Sequence, residues 1–118
     1  ERVEQTVVFE DIAGTVQLRG ISGIAGDPNP HLITRTSFAY LLTVINNGDT
    51  NHRLYIEGLN VQTNLLEPGE QETLIIYPDK EGNYKYFDKR QWLKPLGILE
   101  VITVVPSDEF SGIWRDLI

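Results

Sequence analysis

Apolar and polar residues alternate with a period of two along most of this chain, the spacing of β-strands whose side chains point to opposite faces. The run Ser37–Ile45 is the clearest. Phe38, Tyr40, Leu42 and Val44 fall on one face, and Ala39, Leu41, Thr43 and Ile45 on the other. Both faces are largely apolar, which predicts an interior strand with little solvent contact. Shorter β-rich runs are Thr6–Glu10 and Thr15–Arg19, on either side of the breaker Ala13-Gly14. Gly20–Pro30 reads as a loop, because its prolines offer no backbone donor to a ladder. Asn46-Asn47-Gly48-Asp49 is a strong turn, and Arg53–Glu57 follows as a strand with Leu54 and Ile56 inward. Pro68-Gly69-Glu70 turns the chain into Thr73–Tyr77, and Pro78–Gly82 turns it into Tyr84–Phe87. A last strand, Gly97–Val105, ends at Pro106. Short strands separated by turn signals predict an all-β sandwich.

The C-terminal tail changes period. Ser107-Asp108-Glu109 is a helix start with acids in the first turn. Phe110, Ile113, Trp114, Leu117 and Ile118 then recur at helical spacing and form one stripe, although Gly112 interrupts it. A short helix is predicted there. It either packs on its own sandwich, with Trp114 covering an open end, or anchors in a partner's groove. An interfacial membrane helix fits less well, since Arg115 is its one basic residue.

At 118 residues the chain is expected to be a single domain with enough core to stand without disulfides, and it has no cysteine to form one. The formal net charge is −7. Nucleic-acid and anionic membrane surfaces are disfavoured by that sign, and the charge serves either solubility alone or steering toward basic protein partners. No run of apolar residues is long enough to span a bilayer. The chain does not begin with Met, so a signal peptide or membrane anchor before Glu1 stays open.

Tyr84, two residues after Gly82, is placed to cross the end of a sandwich and give its hydroxyl to an upstream backbone carbonyl, as in a tyrosine corner. Immunoglobulin-like domains share that device. They also place a Trp between paired core strands, whereas Trp92 and Trp114 lie near or beyond the last strands.

The order of motifs from about Leu32 to Val104 resembles the cupredoxins, in particular the branch of cytochrome oxidase subunit II and nitrous oxide reductase. The elements are Leu42-Thr43-Val44-Ile45-Asn46-Asn47, then His52, then Ile56-Glu57-Gly58-Leu59-Asn60, then Leu66-Glu67-Pro68-Gly69-Glu70, then Thr73-Leu74-Ile75-Ile76, and finally Tyr77-Pro78-Asp79-Lys80-Glu81-Gly82-Asn83-Tyr84-Lys85-Tyr86. The resemblance implies a cupredoxin-like Greek-key β-sandwich with copper ligands on the Asn46–His52 turn and on the loop before the last strand. In that register His52 matches the first ligand, Asp88 stands where the thiolate would be, Leu93 where the second imidazole would be, and Ile98 where the axial thioether would be. A blue site needs a thiolate, two imidazoles and a weak axial ligand. The chain contains neither Cys nor Met. The expectation is therefore a copper-free, redox-inactive domain without a cofactor, its metal cavity filled by hydrocarbon. Buried there, Leu93 and Ile98 would each contribute roughly 1.5–3 kcal/mol as core residues.

Two roles for His52 remain open at this point. It is either a turn histidine hydrogen-bonded to loop backbone or to Asp88, or a ligand for Zn²⁺ or a type 2-like Cu²⁺ together with Asp88 and His31. Metal sites of that kind normally need three protein ligands. No ordered Ser/His/Asp set, phosphate-binding glycine loop or carboxylate pair points to an enzyme. Arg90, Gln91 and Trp92, flanked by Lys89 and Lys94, read either as an interface hot spot or as a roof over the filled cavity. The overall expectation is a non-catalytic structural or protein-interaction subunit of an extracytoplasmic (periplasmic or extracellular) respiratory or electron-transfer complex. Its interaction surfaces would be Arg90-Gln91-Trp92 and the Phe110, Ile113, Trp114 and Leu117 stripe, and a homo-oligomer is compatible with them.

Overall fold

A computed structural model describes residues 1–89 and 94–104. Nine strands follow one another: β1 (Arg2–Ile12), β2 (Thr15–Ser22), β3 (Leu32–Arg35), β4 (Ala39–Asn46), β5 (Leu54–Ile56), β6 (Val61–Gln62), β7 (Gln71–Ile76), β8 (Gly82–Asp88) and β9 (Gly97–Ile102). They form two sheets, one ordered β2-β1-β4-β7 and the other β3-β9-β8-β5-β6. The chain passes repeatedly between the sheets, which gives the Greek-key sandwich expected from the turn spacing. Among the described residues no helix is long and apolar enough to cross a membrane. The predicted tail helix lies outside the described residues, as does the loop segment Arg90–Leu93.

β1 and β2 are a hairpin closed by Ala13 (φ 52°) and Gly14 (φ 81°). Two consecutive positive φ values are those of a tight turn matched to strand twist. β1 also pairs in parallel with β4, from Arg2 opposite Ala39 to Phe9 opposite Asn46. β3 pairs in parallel with β9. β4 lies between β1 and β7, and its Tyr40, Leu42 and Val44 face is fully buried, whereas the Ala39, Leu41, Thr43 and Ile45 face is half-buried, so the expected exclusion of solvent holds for one face. The sandwich core joins the buried face to Val7, Phe9, Leu18, Leu54, Ile56, Tyr86, Leu99 and Val101.

Two tyrosines tie β8 to backbone outside the strand. Tyr84 donates its hydroxyl to the Lys80 carbonyl at 2.7 Å, the corner expected from the sequence. Tyr86, fully buried, donates to the Pro30 carbonyl at 2.6 Å. Tyr40 donates to Gln5 Oε1, and Gln5 Nε2 donates to the Ile33 carbonyl, so this bridge runs from one sheet to the other. Buried hydroxyls held in this way cannot ionise easily, and burial pushes the pKa of both Tyr40 and Tyr86 upward.

Candidate functional site

At one pole of the sandwich three segments converge on a buried imidazole. The first is the end of β1. Val7 and Phe9 point into the core, and a period of two puts Asp11 on the same side. The second is the turn after β4. Asn46, fully buried, shapes it: Asn46 Nδ2 donates to the carbonyls of Thr50 and Leu66, both at 2.8 Å, and Asn46 Oδ1 accepts from the Gly48 amide at 2.9 Å. His52 leaves this turn through two backbone hydrogen bonds with Leu66. The third is the end of β8, where Asp88 follows the inward phase of Tyr84 and Tyr86.

His52 Nδ1 lies 2.7 Å from Asp88 Oδ2, and His52 Nε2 lies 3.0 Å from Asp11 Oδ1 and 3.1 Å from Asp11 Oδ2. The ring stacks on Phe9 with centroids 4.8 Å apart. His52 and Asp88 are almost wholly buried, at 2% and 1% exposure. Asp11 also accepts from the amides of Asp49 and Thr50 and from the Thr50 hydroxyl, so the same carboxylate that meets the imidazole holds the turn. Asp88 Oδ1 is 3.4 Å from the Arg53 amide. A cleft of about 450 Å³ opens over this cluster between Ala13-Gly14 and Asp49-Thr50.

The electrostatics follow from these contacts. Burial pulls the His52 pKa down, but the hydrogen bonds and charges of Asp88 and Asp11 outweigh it and leave the imidazole above its ordinary value. Burial likewise pushes Asp11 up, and its bonds from His52 and Thr50 outweigh that and bring it down to about 2. The two carboxylates thus favour the protonated form of the imidazole between them.

Of the positions singled out in the sequence, the fold brings His52 and Asp88 together, with the imidazole bonded to the carboxylate. Ile98 departs from the expectation. It pairs with Lys85, and the core positions of β9 are its neighbours Leu99 and Val101. The strand period therefore turns Ile98 to the outer face of the sheet, where it fills no cavity. His31 also departs. It precedes β3 and bonds Glu100 at 2.9 Å on the surface, away from His52's partners. Leu93, Arg90, Gln91 and Trp92, with Phe110, Ile113, Trp114, Leu117 and Ile118, lie outside the described residues. Asp11 was not foreseen, although its inward phase after Val7 and Phe9, two residues before a tight turn, was the signal that could have found it.

The described residues at this pole do not fit the copper site that the sequence resemblance implies. Both imidazole nitrogens already face carboxylate oxygens, so a metal at either one would have to displace a buried ionic partner. The chain offers no sulfur donor. Among the described residues, no three or more His, Asp or Glu side chains are grouped so as to hold a metal ion.

No protein-family model matches the sequence, and no curated protein matches it. Solved structures do match in fold. A purple cupredoxin from Nitrosopumilus maritimus aligns with a TM-score of 0.55 at 16% identity, over 81% of this chain and 97% of that one. Auracyanin from Roseiflexus castenholzii aligns with a TM-score of 0.61 at 13% identity, over 84% and 96%. A multicopper oxidase from Campylobacter jejuni gives a TM-score of 0.61 at 14% identity, over 86% of this chain but 30% of the oxidase. At such identities the likeness is one of architecture. This chain thus has the cupredoxin-like Greek-key fold, with a carboxylate–imidazole–carboxylate chain at the pole that the sequence register assigns to metal ligands.

Proposed function

We propose that the chain is a copper-free domain of the cupredoxin type, related to the subunit II and nitrous oxide reductase branch, that acts through protein contacts in an extracytoplasmic respiratory or electron-transfer complex. The observation that carries the copper-free reading is the capture of both His52 nitrogens by Asp88 and Asp11. An imidazole that donates from both nitrogens has no lone pair left for a metal. The interaction reading is supported by the retained architecture, by the acidic net charge of −7, which favours a basic partner, and by the Trp92 loop and apolar tail stripe in the sequence. It does not invoke catalysis.

The test has two arms. The purified protein is titrated with Cu²⁺ and separately with Zn²⁺ and followed by metal analysis after desalting. No stoichiometric uptake is expected, and stoichiometric metal that is lost in His52→Ala would replace this reading with a metal-binding one. Trp92→Ala and a chain truncated after Pro106 are then compared with the parent for assembly with co-purifying partners. Loss of association in at least one is expected, and unchanged association in both removes the interaction role.

A further inference from the structure

The His52 cluster ties the two sheets together, and the tie depends on one proton. Asp11 belongs to β1 of the four-stranded sheet and Asp88 to β8 of the five-stranded sheet, with His52 between them. An ionised carboxylate only accepts hydrogen bonds. A neutral imidazole has a single N–H donor, so it can satisfy one of the two carboxylates, while an imidazolium satisfies both. Both contacts, 2.7 Å on one side and 3.0 Å on the other, are within hydrogen-bond reach, and two ionised carboxylates are served together only when both ring nitrogens carry a proton.

We propose that Asp11, His52 and Asp88 form a proton-operated clasp between the sheets, closed while the imidazole carries two N–H donors and released when it loses one. Release leaves a buried carboxylate facing a ring lone pair, an arrangement that costs far more inside a protein than in water. The weaker side is Asp11, which is partly solvent-exposed and lines the cleft. Its departure frees the Asp49 and Thr50 amides that it now accepts from, so the turn over the cleft loosens with it.

The surroundings bias the clasp toward closure. From β1 the ring meets Asp11 and the neutral Phe9, from β8 Asp88, and from its own turn Thr50, with the Asp49 carboxylate at the rim of the cleft. Of the described cations near the ring, the Lys89 ammonium lies 4.0 Å over the Tyr55 ring, and Arg53 is half-buried between the buried His52 and Leu54. Burial alone would favour the neutral ring; the two carboxylates outweigh it and keep the ring's pKa raised. This clasp shares the imidazole with the functional reading above, but metal titration tests that reading by itself and ring protonation tests the clasp.

The experiment is NMR of uniformly ¹⁵N-labelled protein from pH 5 to pH 10. The His52 ring nitrogens are observed together with exchange of the Asp49, Thr50 and Val44 amides. Both ring nitrogens are expected to carry protons through pH 6.5 and to titrate as one step above it, with the step accompanied by at least a roughly tenfold loss of protection at Asp49 and Thr50 but not at Val44. His52→Gln, which offers one donor and one acceptor, is expected to show the loosened turn at every pH. A ring that titrates at or below 6.5, or amides indifferent to the ring's step, would overturn the clasp. Should the variant fail to fold, the parent's titration decides alone.

Discussion

Gly48 and Asp11 lie so close that a methyl group on Gly48 would overlap Asp11 Oδ2 and come 3.2 Å from His52 Nε2. The absent side chain is what allows the β1 carboxylate to reach the turn and the imidazole together.

Gly48→Ala is therefore expected to push Asp11 off the turn and destabilise the fold by about 1–3 kcal/mol, the usual range for overpacking at a close contact. Urea unfolding of the two proteins measures it. The change should also lower the His52 pKa, visible in its ring shifts. An alanine variant as stable as the parent, with unchanged ring shifts, would show that the approach is not needed.

Stability should have a plateau in acid and fall on both sides of it. The folded His52 pKa is raised above 6.5, so its contribution is complete below 6.5 and is lost as pH rises through the folded value. The folded Asp11 pKa is about 2 against 3.8, so its contribution is complete above 3.8 and is lost as pH falls toward 2. Denaturant midpoints measured at fixed ionic strength should be highest between these limits. His52→Gln should remove the alkaline limb and shrink the acid one, because the imidazole supplies the largest of the contacts that lower Asp11. A parent protein that gains stability from pH 6.5 to pH 9 would contradict the charge assignment.

Tyr86→Phe isolates a different bond. The hydroxyl serves the Pro30 carbonyl in a fully buried setting, so its removal leaves that carbonyl without its donor. A loss of about 1–3 kcal/mol is expected in chemical denaturation, the penalty for an orphaned buried acceptor. A neutral result would mean that the Pro30 segment finds another donor. Tyr40→Phe, which breaks the link to Gln5 Oε1, should cost a similar amount for the same reason.

The sandwich was legible because its signals are local. Alternation named the core face of β4, and the glycine and proline turns separated the strands around it. The Tyr84 corner was legible from Gly82 and spacing alone. β1 extends from Arg2 rather than Thr6, because its first residues gain order from the parallel partner β4 and not from their own apolarity. β6 was missed because two residues carry no period. β9 stops at Ile102, short of the expected Val105.

The site was half legible for a comparable reason. His52 and Asp88 were marked by the order of motifs that resembles the cupredoxins, and they meet at 2.7 Å. Asp11 belongs to a segment that carries no part of that order, so only its phase on β1 marked it. Ile98 was misplaced because motif spacing alone does not fix the face of a strand; the pairing of Tyr84 with Leu99 does.

The separation of the three clasp residues along the chain has a kinetic consequence. Asp11 and His52 are 41 positions apart, and His52 and Asp88 are 36. Contacts between such distant segments pay their loop-closure entropy late, after both sheets have gathered. Interactions absent from the folding barrier act on the escape from the native state. Disabling this trio should thus leave the refolding limb of a chevron plot in place and raise the unfolding limb, so that the buried imidazole governs how long the domain lasts rather than how fast it forms.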